Sequence, residues 1–279
     1  MTVSYHSPTE LSSALALAAE PGGRVIAGGT DVFPAARQGV HPRHYLDLTR
    51  VAGLRGISRT TDGWRIGAAT TWSDLVRADL PRGFDGLKQA ARAVGGVQIQ
   101  NAGTIAGNLC NASPAADGVP PLLTLGAQVE LASAARGTRV LALSAFLKGV
   151  RQTALAPDEL MTAVHVPALP GGAGAAFEKL GSRRYLVISI TMTAALVVCD
   201  DAGRIVTARV AVGACSATAL RLSALEADLI GQRPEALTIG PHHLAPLHPI
   251  TDVRGTADYR LDAVAEQCRR AILRAARHE

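Results

Sequence analysis

The chain is poor in the residues from which metal centres, disulfide frameworks and base-stacking surfaces are built. Its four cysteines, Cys110, Cys199, Cys215 and Cys268, are scattered and form no CxxC pair. That excludes a disulfide scaffold and supplies no zinc or iron–sulfur spacing. Aromatic residues make up only 4% of the chain, and although the formal charge is +5 its basic residues are dispersed. Neither a stacking platform nor a basic stripe for nucleic acid is present. The arginines of the RRAILRAARHE segment read as a solvated helix face. No apolar run reaches the roughly 18 residues of a membrane span. The opening MTVSYHSPTELSSALALAAE lacks a basic n-region and an unbroken apolar h-region, so a cytoplasmic chain is expected. Gly-Lys-Ser/Thr, a GxGxxG opening a helix, Gly-x-Ser-x-Gly and HExxH are all missing, which argues against P-loop ATPases, Rossmann proteins and the common hydrolases.

What is present suits a globular protein: 48% apolar and 18% charged residues over 279 positions, enough for two compact units. Ser7 to Glu10 has the form of a capping box with Pro8 at the first helical position, predicting a helix to about Glu20. The run RVIAGG predicts a buried strand, and Thr30 a second helix ending near Gly39. Strands are expected at HYLDLT, LRGI and WRIGAAT, and helices at TTWSDLVRADL and FDGLKQAARAVG. GVPPLLTLGA reads as helical, QVELAS and TRVLALSAFL as strand and then a helical turn, and DELMTAVHVP as a strand. The breaker cluster Pro167 to Gly174 marks a domain boundary. Beyond it, AAFEKLGS, VISITMTAALVVCD and RIVTARVAVGAC form a meander, and two amphipathic helices follow.

Two stretches carry chemistry. In Ala27-Gly28-Gly29-Thr30-Asp31 a strand ends in two glycines before a helix, where close backbone approach and free N–H groups suit a phosphate. Asn101 to Asp117, NAGTIAGNLCNASPAAD, reads as neither helix nor strand. Thr104 and the N–H groups of Ile105, Ala106 and Gly107 can meet phosphate oxygens, the amides of Asn108 and Asn111 sugar or phosphate, and the Asp117 carboxylate sugar hydroxyls. Two such loops suit a dinucleotide. Asp31, a carboxylate beside a phosphate, is expected to turn away into a cap or an ion pair. His41-Pro42-Arg43-His44 reads as a surface turn, and His242, His243 and His248 as solvent-facing; no metal site is expected.

Together with IGAATTWSDL and FEKLGSRR, these stretches come in an order and spacing that resembles the FAD-binding (medium) subunit of the molybdenum hydroxylases, the xanthine dehydrogenase and carbon monoxide dehydrogenase family. The resemblance spans essentially the whole chain. It implies an α+β fold: a two-subdomain FAD-binding domain of the PCMH, vanillyl-alcohol-oxidase-like kind over residues 1–168 (subdomains about 1–55 and 56–168), then a small sheet-plus-helices domain over 172–279. It implies FAD as cofactor, with pyrophosphate held by Gly28, Gly29 and Thr30 and by Thr104, Ile105, Ala106 and Gly107, and with Asn108, Asn111 and Asp117 on the sugar and ribityl portions. Leu160 or Met161 would lie beside the isoalloxazine and Lys179 near its polar edge; without the resemblance Lys179 is a solvated lysine on an exposed strand.

Two departures stand out. The usual Thr-Ile-Gly-Gly is Thr-Ile-Ala-Gly here, tolerable only if Ala106 keeps a negative φ. An acidic residue expected after Arg183-Arg184 is replaced by Tyr185-Leu186, with Tyr185 placed against the ring instead. By the resemblance the partners are an iron–sulfur subunit and a molybdopterin subunit, and the electron acceptor is NAD, oxygen or a quinone. No side chain need act as acid or base, because the cofactor carries the redox chemistry. The competing readings are a free-standing FAD-dependent oxidase and a non-catalytic nucleotide-binding module.

Overall fold

The structure is a computed structural model and describes residues 3–36, 42–184 and 186–277. The chain begins with a small parallel sheet. β1 (Ser4–His6), α1 (Leu11–Ala18), β2 (Gly23–Ile26), α2 (Val32–Ala36) and β3 (His44–Asp47) assemble with strand order β1-β3-β2. Leu46 of the central strand is buried and packs with Ala14 of α1 and with Leu48, Val51 and Leu54. The expected capping box does not form: α1 starts at Leu11 with Glu10 as an unbonded N-cap. Ser7 instead donates to Asp47 Oδ2 at 3.3 Å, beside the Tyr5 hydroxyl at 2.7 Å. A buried carboxylate that needs donors outcompetes a local cap. The second helix ends at Ala36 as far as it is described, and its expected end near Gly39 lies outside the described residues. His44 sits in β3 and is 5% exposed rather than in a surface turn; His41 lies outside the described residues.

The second unit is an antiparallel sheet carrying helices. β4 (Ile57–Thr60) and β5 (Gly63–Gly67) lead into α3 (Trp72–Arg77), α4 (Asp85–Ala93), α5 (Val97–Ala102), α6 (Ile105–Asn111) and α7 (Val119–Thr124). There follow β6 (Gln128–Ser133), β7 (Gly137–Ala142), α8 (Leu143–Phe146), the hairpin β8 (Leu147–Gly149) and β9 (Gln152–Thr153), and β10 (Glu159–Pro167). The five long strands run β4-β5-β10-β6-β7, so β10 is central and nearly all of it is buried. A bulge between Met161 and Ala163 interrupts its pairing with β6; such irregularities re-aim side chains. Leu160 joins the core under α1, whereas Met161 joins the core under α3 to α8.

The C-terminal unit is the expected meander. β11 (Gly174–Leu180), β12 (Thr191–Cys199), β13 (Ile205–Gly213) and β14 (Leu220–Arg221) pair in that order, all antiparallel. After them come α9 (Ser223–Leu229), α10 (Pro241–Leu244) and α11 (Ala257–Ala276). The β12 sequence TMTAALVVC shows no polar alternation because both its faces are covered. Leu196 and Val198 face the second unit, while Ala195 and Val197 face α9 and α11, the pattern of a strand sandwiched between layers. α11 presents Val264, Cys268, Ala271, Ile272 and Ala275 at helical spacing to that face, and the Thr256 hydroxyl caps it by accepting from Tyr259 N–H at 3.2 Å. The fold is α+β. No helix among the described residues is long and apolar enough to cross a membrane.

Candidate functional site

A cavity of about 670 Å³ opens between the small parallel sheet and the helical side of the second unit, a size ordinary for a cofactor site. One wall is the turn after β2. Gly29 there has φ +67°, in the left-handed region that glycine adopts without strain. Gly28 packs so closely against the α5–α6 junction that a Cβ on it would lie 1.9 Å from the Ala102 carbonyl oxygen. The backbone N–H groups of Gly28, Gly29, Thr30 and Asp31 donate to no acceptor among the described residues. Four consecutive unpaired donors beside a cavity form a nest for an anion.

The facing wall differs from its expected form. Asn101 to Asp117 is largely helical, with α6 running through Ile105–Asn111. Ile105 and Leu109 bury one face of it completely, and the Thr104 hydroxyl caps it by accepting from Gly107 N–H at 3.1 Å. The N–H groups of Ile105 and Ala106 donate to the Thr70 and Ala68 carbonyls at 3.0 and 3.3 Å. These three N–H groups are therefore engaged within the protein, which corrects the expectation of a second open anion loop. Ala106 lies in regular helix and is absent from the residues of positive φ, so its methyl is accommodated. Ile105 faces the core and does not reach the cavity, while Thr104, Ala106, Gly107, Asn108 and Asn111 do.

Several side chains in this wall fit a polar ligand. A Cβ on Gly107 would meet only the Thr104 hydroxyl, at 2.9 Å, and is otherwise in open space. Asn108 Oδ1 is buried without a hydrogen-bond partner, a costly state that a donor would relieve. Leu160 and Met161 both line the cavity, with Leu48, Leu54, Trp72, Val94, Ile99 and Leu155 completing an apolar surface. Burial pushes the Cys110 thiol up to about 12, so at neutral pH it is an uncharged part of this lining. Glu159 also borders the cavity, but the Arg139 guanidinium grips it at 2.7 Å through two hydrogen bonds and lowers its pKa.

Asp117 and Lys179, both expected at the site, stand elsewhere. Asp117 does not line the cavity. Its carboxylate accepts from Lys179 Nζ at 2.6 Å and from the Ser189 hydroxyl at 2.5 Å, which takes both oxygens. Burial pushes this carboxyl up, against the opposing pull of Lys179 and Ser189. Lys179 is correspondingly no solvated lysine: its side chain is 10% exposed, and it also donates to the Ala93 carbonyl. Asp31 is exposed at the cavity edge and, among the described residues, makes neither the cap nor the ion pair expected of it. Tyr185 lies outside the described residues.

Sequence reasoning missed the two arginines of the cavity, Arg24 on β2 and Arg151 in the β8–β9 turn; neither belongs to a motif. It also placed His243 in solvent, whereas that side chain is buried. Asp228 Oδ2 lies 3.3 Å from His242 Nε2 and 3.0 Å from His243 Nε2. His243 Nδ1 accepts from Gly240 N–H at 3.0 Å, which leaves the ring proton on Nε2, so that atom offers a metal no lone pair.

Comparison with known proteins assigns the chain to a family. Residues 1–169 match the FAD binding domain in molybdopterin dehydrogenase, and residues 175–275 match the CO dehydrogenase flavoprotein C-terminal domain. The chain is 33% identical to the xanthine dehydrogenase FAD-binding subunit of Escherichia coli O157:H7, over 96% of its own length and 94% of that protein. It is 32% identical to the carbon monoxide dehydrogenase medium chain of Afipia carboxidovorans, over 97% and 96% respectively. Among solved structures it superposes on a chain of the cyanide-inactivated Cu,Mo-CO dehydrogenase with a TM-score of 0.89 at 29% identity, covering 99% and 98% of the two chains. Quinoline 2-oxidoreductase from Pseudomonas putida 86 gives 0.87 at 28% identity, covering 99% and 97%.

Proposed function

The chain belongs to the FAD-binding subunits of the molybdopterin dehydrogenases, an oxidoreductase family whose cofactor is FAD, and from that premise we propose the following division of labour within it. The unpaired N–H groups of Gly28 to Asp31 are the observation that carries the reading: they bind the pyrophosphate, and the positive end of α2 adds to their field. Ala27 continues this wall, and the Thr104 hydroxyl, free to donate while its oxygen caps α6, faces it from across the cavity. Gly107 leaves room for the ligand, and the amides of Asn108 and Asn111 serve its sugar and ribityl oxygens. Leu160 and Met161 exclude water from the flavin ring. When bound, FAD supplies an acceptor and donor of two electrons.

Asp117 and Lys179 act one layer behind this surface. Their pair joins β11 to the α6–α7 junction and to the end of α4, holding the C-terminal domain (172–279) against the FAD-binding domain (1–168). The chain works in the cytoplasm as one member of a complex. An iron–sulfur subunit reduced by a molybdopterin subunit delivers its electrons, and NAD, oxygen or a quinone takes them away. The absence of any CxxC pair in the chain supports placing the iron–sulfur centres on a partner. Affinity purification of the tagged chain from its native cells tests the assembly. Co-elution of an iron–sulfur protein and a molybdopterin protein in fixed ratio is expected; a flavoprotein that elutes alone and turns over its own substrate would contradict it.

A further inference from the structure

Ala112 and Arg151 have left-handed backbones, with φ of 45° and 58°. They are bonded to each other, Arg151 N–H donating to the Ala112 carbonyl at 2.9 Å. For an L side chain this conformation is unfavourable, and it persists where the surroundings over-determine it, frequently beside functional sites. Arg151 occupies the turn of the β8–β9 hairpin, a position that glycine, asparagine or aspartate would fill without strain.

The side chain indicates what the strain maintains. Arg151 Nη1 donates to the Asn111 carbonyl at 3.3 Å and to Asn111 Oδ1. A guanidinium has donors only, so the Asn111 amide must turn its oxygen toward Arg151. Its Nδ2 group then points away, and it donates to no acceptor among the described residues. Both residues line the cavity. We propose that Arg151 is a positioning residue: from a strained turn it fixes the Asn111 amide with both N–H donors available to the oxygens of the bound dinucleotide. The proposal rests on the reading of the cavity as the FAD site.

The test compares Arg151→Gly, Arg151→Lys, Asn111→Ala and the Arg151→Gly/Asn111→Ala double variant in the full chain stripped of flavin. Thermal midpoints are measured together with FAD affinity by quenching of flavin fluorescence. Glycine relieves the backbone, so Arg151→Gly should melt no lower than the parent yet bind FAD about three- to tenfold more weakly, the loss of one well-oriented hydrogen bond. Arg151→Lys, whose side chain is shorter and carries its donors on a freely rotating ammonium rather than a fixed planar fork, should bind more weakly than the parent as well. The decisive readout is non-additivity: in the Asn111→Ala background, removing Arg151 should cost nothing more. Parent-like affinity in Arg151→Gly overturns the proposal. So does an additive loss in the double variant, which would mean that Arg151 meets the ligand by itself. If the parent chain binds no FAD at all, the cavity reading fails and the proposal with it, an outcome distinguishable from the other two.

Discussion

Replacing Lys179 by methionine should destabilise the chain in a way that depends on pH. Lys179 Nζ and Asp117 Oδ2 are 2.6 Å apart, with side chains 10% and 9% exposed. Methionine keeps the length of the side chain but leaves the buried carboxylate without its cation. Breaking a buried pair from one side costs about 3–5 kcal/mol. At about 2–4 °C per kcal/mol for a chain of this size, the melting point should fall by about 6–20 °C near neutral pH. Burial already raises the Asp117 pKa in the folded protein, and Lys179 opposes that rise. The variant's carboxyl must therefore titrate higher still. A group with a raised folded pKa contributes stability that is complete below its unfolded pKa, about 3.9, and is lost as pH climbs through the folded value. In the variant that loss extends further up the pH scale, so the gap in melting point should widen toward pH 8 and narrow toward pH 5. Circular dichroism melts across that range measure it. A gap of equal size at every pH, or one below about 2 °C, would refute the reasoning. Adding Asp117→Asn should recover part of the loss by removing the stranded charge.

Three further outcomes follow from the site. Gly28→Ala sets a methyl against the Ala102 carbonyl and should cost about 1–3 kcal/mol through overpacking, with FAD affinity falling as the turn is displaced; thermal melts and a fluorescence titration check both. Gly107→Ala should leave stability within about 1 kcal/mol, because better helix propensity offsets a disturbed Thr104 cap, yet weaken FAD binding by placing a methyl on the cavity side. Burial raises the Asp74 carboxyl, but the Arg55 guanidinium at 2.9 Å and Thr71 N–H outweigh it and hold the pKa at about 2. Its capping contribution is thus fully present above the unfolded pKa and lost as pH falls through about 2: Asp74→Asn should cost about 1 kcal/mol at pH 7 and about a third of that at pH 2.5, as read from urea midpoints.

Local signals made much of the fold legible. The strand running into Gly28-Gly29 forms where expected, but at the sheet edge with only Ile26 buried rather than as the buried strand its apolar run predicted; the β11–β13 meander and the apolar stripe of α11 follow from periodicity and turn residues that tertiary packing does not contradict. α6 escaped notice because its glycine and asparagines mask a helical pair, Ile105 and Leu109, that is completely buried behind a threonine cap; the i, i+4 spacing was there to be found. Ser7 offered a plausible local cap, but Asp47, forty residues away, engages its hydroxyl. The Asp117–Lys179 pair spans 62 residues, and no local pattern announces which distant charge will neutralise a buried carboxylate. Arg151 was invisible for a related reason: its role depends on a strained turn and on an amide forty residues earlier. The nest at Gly28 to Asp31 was readable because strand, glycine turn and helix entry are contiguous.

The measurement that tests the central claim most directly is the absorption spectrum of the purified chain, followed by acid release and chromatography of the chromophore. The account predicts a flavin spectrum and released FAD, with FMN and riboflavin absent, because a pyrophosphate is what the unpaired donors of Gly28 to Asp31 are set to bind. A folded, colourless chain that takes up no added FAD would contradict it and reduce those glycines to a structural turn.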